Sequence, residues 1–176
     1  MRFLVALALL ATPAFAETEG EGLLNPEEMS VNRLLDNVAR GEVSMTTCAS
    51  GYFVTKAGRH EQARALFEAC AAAGYTGAMT WMAQLDDNGL GAPMDPDRAA
   101  EWDRRAAEAG DPVGMYNLGL DMMRGRGVVQ DVQGGRALVD RAASLGLPTA
   151  QRLQAADYDL DEVTPDADNW KYAPMF

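Results

Sequence analysis

The apolar and polar positions upstream of the glycine-rich half of the chain alternate at helical spacing. An Asn-Pro-Glu-Glu start at 25–28 and a following apolar stripe predict a helix that Gly41 ends. The stripe consists of Met29, Val31, Leu34, Leu35 and Val38. A second block over 44–74 predicts an antiparallel helix hairpin, with Ser44 as its N-cap and Gly58 in its turn. The apolar face of its second helix is Ala63, Leu66, Ala69 and Ala71.

A pattern then recurs every 36 residues. Gly74, Gly110 and Gly146 hold this spacing, and each follows a run of small residues typical of a helix end. The register also holds for a Gly-x-Gly pair, for an acidic residue four to six positions beyond it, and for small residues midway along the first helix. The members are Gly89 and Gly91 with Gly125 and Gly127, Asp95 with Asp131, and Ala83 with Gly119. Each unit is therefore predicted to be a helix, a glycine loop, a second helix and a glycine turn.

Each recurring residue has a physical reason to be there. Glycine at a helix end adopts the left-handed conformation that reverses the chain. Aspartate is a good N-cap, and proline is tolerated in the first helical turn. Small residues within the helices allow close helix crossings, and we expect this role for Ala78, Ala83, Gly114 and Gly119.

This pattern resembles the Sel1-like repeat (SLR) family, which is related to the tetratricopeptide repeats. The resemblance covers roughly residues 44–156, and Met122, Asp86 and Gly135 depart from the family pattern. It is best at Gly114, Tyr116, Asn117, Leu118, Gly119, Gly125, Gly127, Asp131, Ala142, Ala143 and Gly146. It implies an all-α fold, a short right-handed α-solenoid of antiparallel helix hairpins, with two full repeats and a capping half-repeat.

The two cysteines lie at equal distances from the predicted turn of the first hairpin. Cys48 and Cys70 are both eleven residues from position 59, so an antiparallel hairpin places them opposite each other. An exported chain with two such cysteines favours a disulfide. The exported, cysteine-rich branch of the SLR family ties its helix pairs in the same way, and the resemblance therefore implies the same bridge here.

The first sixteen residues have the features of a secretory signal peptide. Arg2 precedes an apolar run from Phe3 to Leu10, which Pro13 and an Ala-Phe-Ala cleavage pattern follow. The run is about half the length that a membrane span needs. We therefore predict a signal peptide at 1–16, a lead-in and capping helix at 17–43, the solenoid at 44–158, and an acidic and aromatic tail at 159–176. The expected location is the periplasm, without a membrane anchor.

Composition and charge exclude several functions. A formal net charge of −11 argues against nucleic acid as a partner, because phosphate binding needs a basic surface. One histidine and two cysteines do not make a zinc site, and no sequence motif indicates a cofactor. The tail carries four large apolar side chains, Trp170, Tyr172, Met175 and Phe176. Two interpretations stay open for it, a cap that docks on the last repeat and an anchor for a partner.

The resemblance implies a function in protein binding. In SLR proteins the stacked first helices line a concave face that binds protein segments. Transferred to this sequence, the exposed positions of that face are Thr80, Gln84, Asp87, Asn88, Tyr116, Leu120, Met123 and Arg124. Tyr116 is the expected aromatic anchor, whereas Trp81 and Trp102 are expected to pack in the core. The net charge suggests a partner surface that is basic or neutral.

We interpret the protein as a non-enzymatic module, monomeric when free. It is expected to be an accessory subunit or an assembly or regulatory factor of an envelope or membrane complex. The alternative is a β-lactam-binding or β-lactam-hydrolysing enzyme, because some exported SLR proteins have been linked to that activity. The sequence has no Ser-x-x-Lys pair, which makes hydrolysis the weaker interpretation.

Overall fold

Eight α-helices make up the regular structure of residues 30–161, the part of the chain that this computed structural model describes. They are α1 (Val31–Ala39), α2 (Met45–Lys56), α3 (His60–Ala72), α4 (Thr76–Asp87), α5 (Pro96–Glu108), α6 (Pro112–Arg124), α7 (Val132–Ser144) and α8 (Pro148–Ala155). These residues contain no strand. The predicted all-α architecture is therefore confirmed.

Three of the predicted segments lie wholly or partly beyond the described residues. The expected signal peptide at 1–16 and the tail beyond Asp161 are outside them, as is the predicted helix start at 25–28. Within the described residues, the first helix begins at Val31, where the Ser30 side chain accepts a hydrogen bond from Arg33 N. The helix ends at Ala39, shortly before Gly41, which has φ +77°.

The predicted helix caps are confirmed. The Ser44 hydroxyl accepts a hydrogen bond from Thr47 N at 3.2 Å and begins α2. Carboxylates begin three later helices by accepting backbone N–H groups of the first turn. These are Asp95 at α5, Asp111 at α6 and Asp131 at α7. Each cap satisfies an N–H group that a helix start otherwise leaves without a partner, and so fixes where the helix begins.

The glycines 36 residues apart close their helices as predicted. Gly74, Gly110 and Gly146 each have φ +91°, in the left-handed region. The next residue then donates its N–H to a carbonyl five residues back, as Tyr75 N does to Cys70 O at 3.1 Å. This arrangement satisfies free carbonyls at the helix end and turns the chain into the following helix.

Helices pair into hairpins that stack along the chain. The hairpins are α2 with α3, α4 with α5, and α6 with α7, while α8 is a first helix with no second helix among the described residues. From α2 onward each helix contacts the next, and α4 also contacts α6. This is the connectivity of an α-solenoid, in which each repeat buries its apolar face against its neighbours. Among the described residues, no helix is long and apolar enough to span a bilayer.

The predicted disulfide ties the first hairpin. Cys48 in α2 and Cys70 in α3 are bonded, with their Cα atoms 5.7 Å apart. The distance lies within the range that an unstrained bridge requires. The prediction from the spacing and from the family resemblance is therefore confirmed.

Glycines also permit a close crossing of α6 and α7. A Cβ atom at Gly119 in α6 would lie 2.8 Å from the carbonyl oxygen of Gly135 in α7, and one at Gly135 would lie 2.5 Å from the oxygen of Gly119. One repeat earlier, the buried Ala83 and Ala99 occupy the corresponding positions. The departure from the family pattern at Gly135 is therefore matched by Gly119 on the facing helix, where the two backbones meet.

Candidate protein-binding face

The first helices of successive hairpins lie side by side. Rings of Tyr52 in α2 and Trp81 in α4 approach to 5.5 Å between centroids, α4 contacts α6, and the Arg152 guanidinium of α8 acts electrostatically on Tyr116 of α6. We define the first-helix face as the exposed and partly exposed side chains of α2, α4, α6 and α8. Because each hairpin is antiparallel, these helices run in one direction and their C-terminal ends lie along one edge.

Three of the residues predicted to bind a partner are not on this face. Tyr116, Leu120 and Met123 expose only 0%, 2% and 5% of their surface, so the prediction that they form an exposed anchor is wrong. They pack in one cluster with residues of α7 and α8. The three positions follow the i, i+4, i+7 spacing that is typical of the core-facing side of a helix. Transfer from the repeat pattern alone did not take this spacing into account.

The other five predicted residues are accessible. Thr80, Gln84, Asp87 and Arg124 are partly exposed, and Asn88 is exposed. Their hydrogen bonds are local: Asn88 Nδ2 donates to Gln84 O at 2.8 Å, and Thr80 Oγ1 donates to Gly77 O at 3.0 Å. Asp87 forms an ion pair at 3.0 Å with Arg126 in the following glycine loop. Their role in binding stays a prediction.

An aromatic row, defined by Phe53, Tyr52 and Trp81, lies on the N-terminal part of the face. Phe53 exposes 67% of its surface and meets the Tyr52 ring edge-on at 5.3 Å. Trp81 is partly buried, and its ring stacks on the buried Phe67 at 5.7 Å. Trp81 therefore packs on the core as expected and also contributes to the surface. Exposed aromatic clusters of this kind are typical of protein-binding sites.

The aromatic row is not apparent from the repeat pattern of the sequence. Adjacent residues on a helix point about 100° apart, and the sequence does not say which of Tyr52 and Phe53 faces the core. The repeat register did not include them, because α2 belongs to the divergent first hairpin. Lys56 lies next to the row, with its Nζ 5.5 Å from the centroid of the Tyr52 ring.

The charge of the face is opposite to that of the whole chain. Among the described residues the first helices present three basic side chains, Lys56, Arg124 and Arg152, each in the last turn of its helix. Of their carboxylates, Asp86 and Asp121 are buried, and Asp87 is the one paired with Arg126. This charge favours an acidic or neutral partner segment, whereas the net charge of the chain suggested a basic or neutral one.

A buried ion network holds the first-helix face onto the second helices. Asp86 of α4 has no exposed surface and accepts hydrogen bonds from Arg64 Nη2 of α3 at 2.5 Å and from Trp102 Nε1 of α5 at 3.1 Å. The ring of Trp102 is partly buried against the core, as expected, and the Arg105 guanidinium lies 4.3 Å from its centroid. One carboxylate therefore connects three helices, and this explains why Asp stands where the family pattern has an aromatic residue.

Two further carboxyl groups are buried beneath the face. Burial and, to a lesser extent, the nearby Asp87 carboxylate raise the pKa of Asp121 to about 7, although Arg126 and Arg124 oppose the shift. Burial likewise raises the pKa of Asp103 well above its usual value, although Asn117 Nδ2 donates a hydrogen bond to it at 3.2 Å. The described residues hold no group of three metal-ligating side chains. A cavity of about 440 Å³ lies elsewhere, between the N-terminus of α3 and Gly91.

Comparison with known proteins bears on the fold. No family model and no curated protein matches the sequence. Among solved structures, the chain is similar to a Sel1 repeat protein from Oxalobacter formigenes, with 28% identity and a TM-score of 0.57. It is also similar to cysteine-rich protein B of Helicobacter pylori, with 18% identity and a TM-score of 0.58. A third is a protective antigen of uropathogenic Escherichia coli strains that displays an SLR fold, with 19% identity and a TM-score of 0.51.

The extent of each match differs. The aligned part covers 65% of this chain and 50% of the Oxalobacter protein, and 74% of this chain and 34% of the Escherichia protein. It covers 76% of this chain and 98% of the Helicobacter protein. The fold of this protein is therefore of the α-solenoid class, built from antiparallel helix pairs. More particularly, the chain has the SLR fold, as the repeat pattern in its sequence indicated.

Proposed function

We propose that the protein is an exported protein-binding module and that its first-helix face binds the partner. The SLR fold supports a role in protein–protein interaction. The observation that carries the assignment is the aromatic row on α2 and α4, where Phe53 exposes 67% of its surface next to a basic edge. An exposed aromatic anchor with a charged rim is the usual composition of an interface centre.

Export is supported by two features of the chain. The Cys48–Cys70 disulfide is stable in an oxidising compartment, and the first sixteen residues have the composition of a secretory signal peptide. We place the mature protein in the periplasm, as an accessory subunit or an assembly or regulatory factor of an envelope complex. The SLR fold is consistent with a scaffold, and nitrocefin turnover by the purified protein is the check on the enzymatic alternative.

The test is co-purification of the partner with Phe53→Ala. Truncation of a central aromatic anchor typically costs about 2 kcal/mol or more, which is roughly a thirtyfold loss of affinity. Stability should change little, because most of the ring is in contact with solvent. Val129→Ala is the matched control, since Val129 exposes 90% of its surface in a loop after α6. Retention of the partner by Phe53→Ala would refute the assignment of this face.

A further inference from the structure

Taking the partner site from the proposed function, we infer that residues 162–176 of the same chain occupy the first-helix face while no partner is bound. The segment is first acidic and then apolar, and the face is basic near α8 and α6 and aromatic at α4 and α2. Beyond Asp161 the sequence presents the acidic residues Glu162, Asp166 and Asp168, and then the large apolar residues Trp170, Tyr172, Met175 and Phe176. The partner would then bind by displacing this segment.

The basic residues of the face lie along the edge from which the segment departs. Arg152, Arg124 and Lys56 are each in the last turn of a first helix, and these helix ends share one edge of the solenoid. The chain leaves α8 at its own C-terminal end, at this same edge. After Ala155 the described chain turns against α7, where the Arg136 guanidinium lies 4.6 Å from the centroid of the Tyr158 ring. From there the acidic stretch would pass the C-terminal ends of α8 and α6, where Arg152 and Arg124 attract its charges.

The aromatic part of the segment matches the far end of the face. Phe53 lies one turn before Lys56 in α2, and Trp81 of α4 lies beside the adjacent Tyr52. On the first helices of the described chain, Asp87 is the one carboxylate that is not buried, and it is paired with Arg126 at 3.0 Å. The aromatic row would bury its exposed surface under Trp170 and Phe176, which removes apolar area from water on both sides.

The length of the segment is sufficient. Trp170 is nine residues beyond Asp161, a reach of about 30 Å when extended. Neighbouring packed helices are about 10 Å apart, so α4 is about 20 Å and α2 about 30 Å from α8. Counted from Asp161, the fifteen residues of the segment span about 50 Å when extended, which is long enough for its last residues to reach the aromatic row.

The experiment uses the full mature chain with its disulfide intact and a fluorescein-labelled peptide of residues 161–176. Fluorescence anisotropy measures peptide binding to wild type and to the tail variant Trp170→Ala/Phe176→Ala. We expect wild type to bind the peptide at least tenfold more weakly than the tail variant, because its own segment fills the site. Equal binding by the two proteins, or no binding by the tail variant, would overturn the inference.

Face substitutions in the tail variant locate the peptide. Added Phe53→Ala should weaken peptide binding at least tenfold, and added Arg124→Gln should weaken it severalfold and reduce its dependence on salt. Added Val129→Ala, the control, should change it less than twofold. If neither face substitution matters, the segment binds elsewhere, for instance as a cap on α8, and the inference fails.

Two further results separate the remaining possibilities. Wild type should sediment as a monomer at all concentrations, and a dimer that forms with concentration and dissociates on Trp170→Ala/Phe176→Ala would contradict occupancy within one chain. If the peptide does not bind but Phe53→Ala still releases the partner, only this inference fails. If the peptide binds as expected but Phe53→Ala retains the partner, the proposed function of the face fails.

Discussion

The glycine loop between α6 and α7 gives a quantitative test of how the repeats are joined. Gly127 has φ +65°, and a Cβ atom there would overlap the carbonyl oxygen of Pro96, at the start of α5 in the preceding hairpin. Gly91 repeats the arrangement one unit earlier, where a Cβ atom would lie 2.7 Å from Glu61 N at the start of α3. The second glycine of each loop therefore lets two hairpins touch through their backbones.

The magnitude follows from comparing Gly127→Ala with Gly110→Ala. Gly110 has φ +91° but nothing within 4 Å of the position that a methyl group would take, so its substitution introduces conformational strain alone. That strain is about 1–2 kcal/mol for an L-residue, and the smaller freedom of the unfolded chain offsets about 0.4–1 kcal/mol of it. We expect a loss near 1 kcal/mol at Gly110. At Gly127 overpacking against Pro96 adds about 1–3 kcal/mol, for a total of about 2–4 kcal/mol.

Urea unfolding followed by far-UV circular dichroism measures both losses. The free energies of unfolding should differ by at least about 1 kcal/mol between the variants, and a variant with an unchanged m-value keeps the native extent of burial. If Gly127→Ala and Gly110→Ala are equally stable, the close approach to Pro96 does not contribute, and the hairpins are joined in some other way.

Three other substitutions test the interior. Replacing both Cys48 and Cys70 by Ser should cost about 3 kcal/mol in urea unfolding, and the mass of the exported wild type should be two hydrogens below that of the reduced chain. Asp86→Asn should cost about 3–5 kcal/mol because it leaves Arg64 buried without its charged partner; a loss below about 1 kcal/mol would refute this. Burial raises the pKa of Asp121 to about 7, so the folded state favours its protonated form and stability should fall as pH rises from about 4 through 7. Asp121→Asn should reduce this slope, of which the buried Asp103 keeps its own part, and should be more stable at pH 8 by up to about 4 kcal/mol; equal slopes in the two proteins would contradict a buried carboxyl group at position 121.

The local features of this fold were predictable from sequence because each depends on residues close in the chain. Gly74, Gly110 and Gly146 close helices through hydrogen bonds within six residues, and Asp95 and Asp131 cap helices through their own first turns. The cysteine pairing followed from the symmetry of one hairpin. Such features need no knowledge of what packs on the outside of a helix.

The composition of the face was not predictable in the same way. Tyr116 is buried because α7 and α8 cover its side of α6, and a repeat register does not say which neighbour covers a given side. Phe53 is exposed because the adjacent Tyr52 takes the position against Trp81. The charge of the face likewise depends on burial, which removes Asp86 and Asp121 from the surface and leaves Arg124 and Arg152.

The most direct test of the central claim is site-specific photo-crosslinking in cells that produce the protein. A photoreactive phenylalanine analogue replaces Phe53 on the first-helix face or, as the control, Glu68 on the exposed side of α3. We expect a crosslink to one defined protein from position 53 and none from position 68, and the crosslink from position 53 should disappear when Arg124→Glu reverses the charge of the basic edge. Crosslinking from position 68 alone, or equally from both positions, would contradict the central claim.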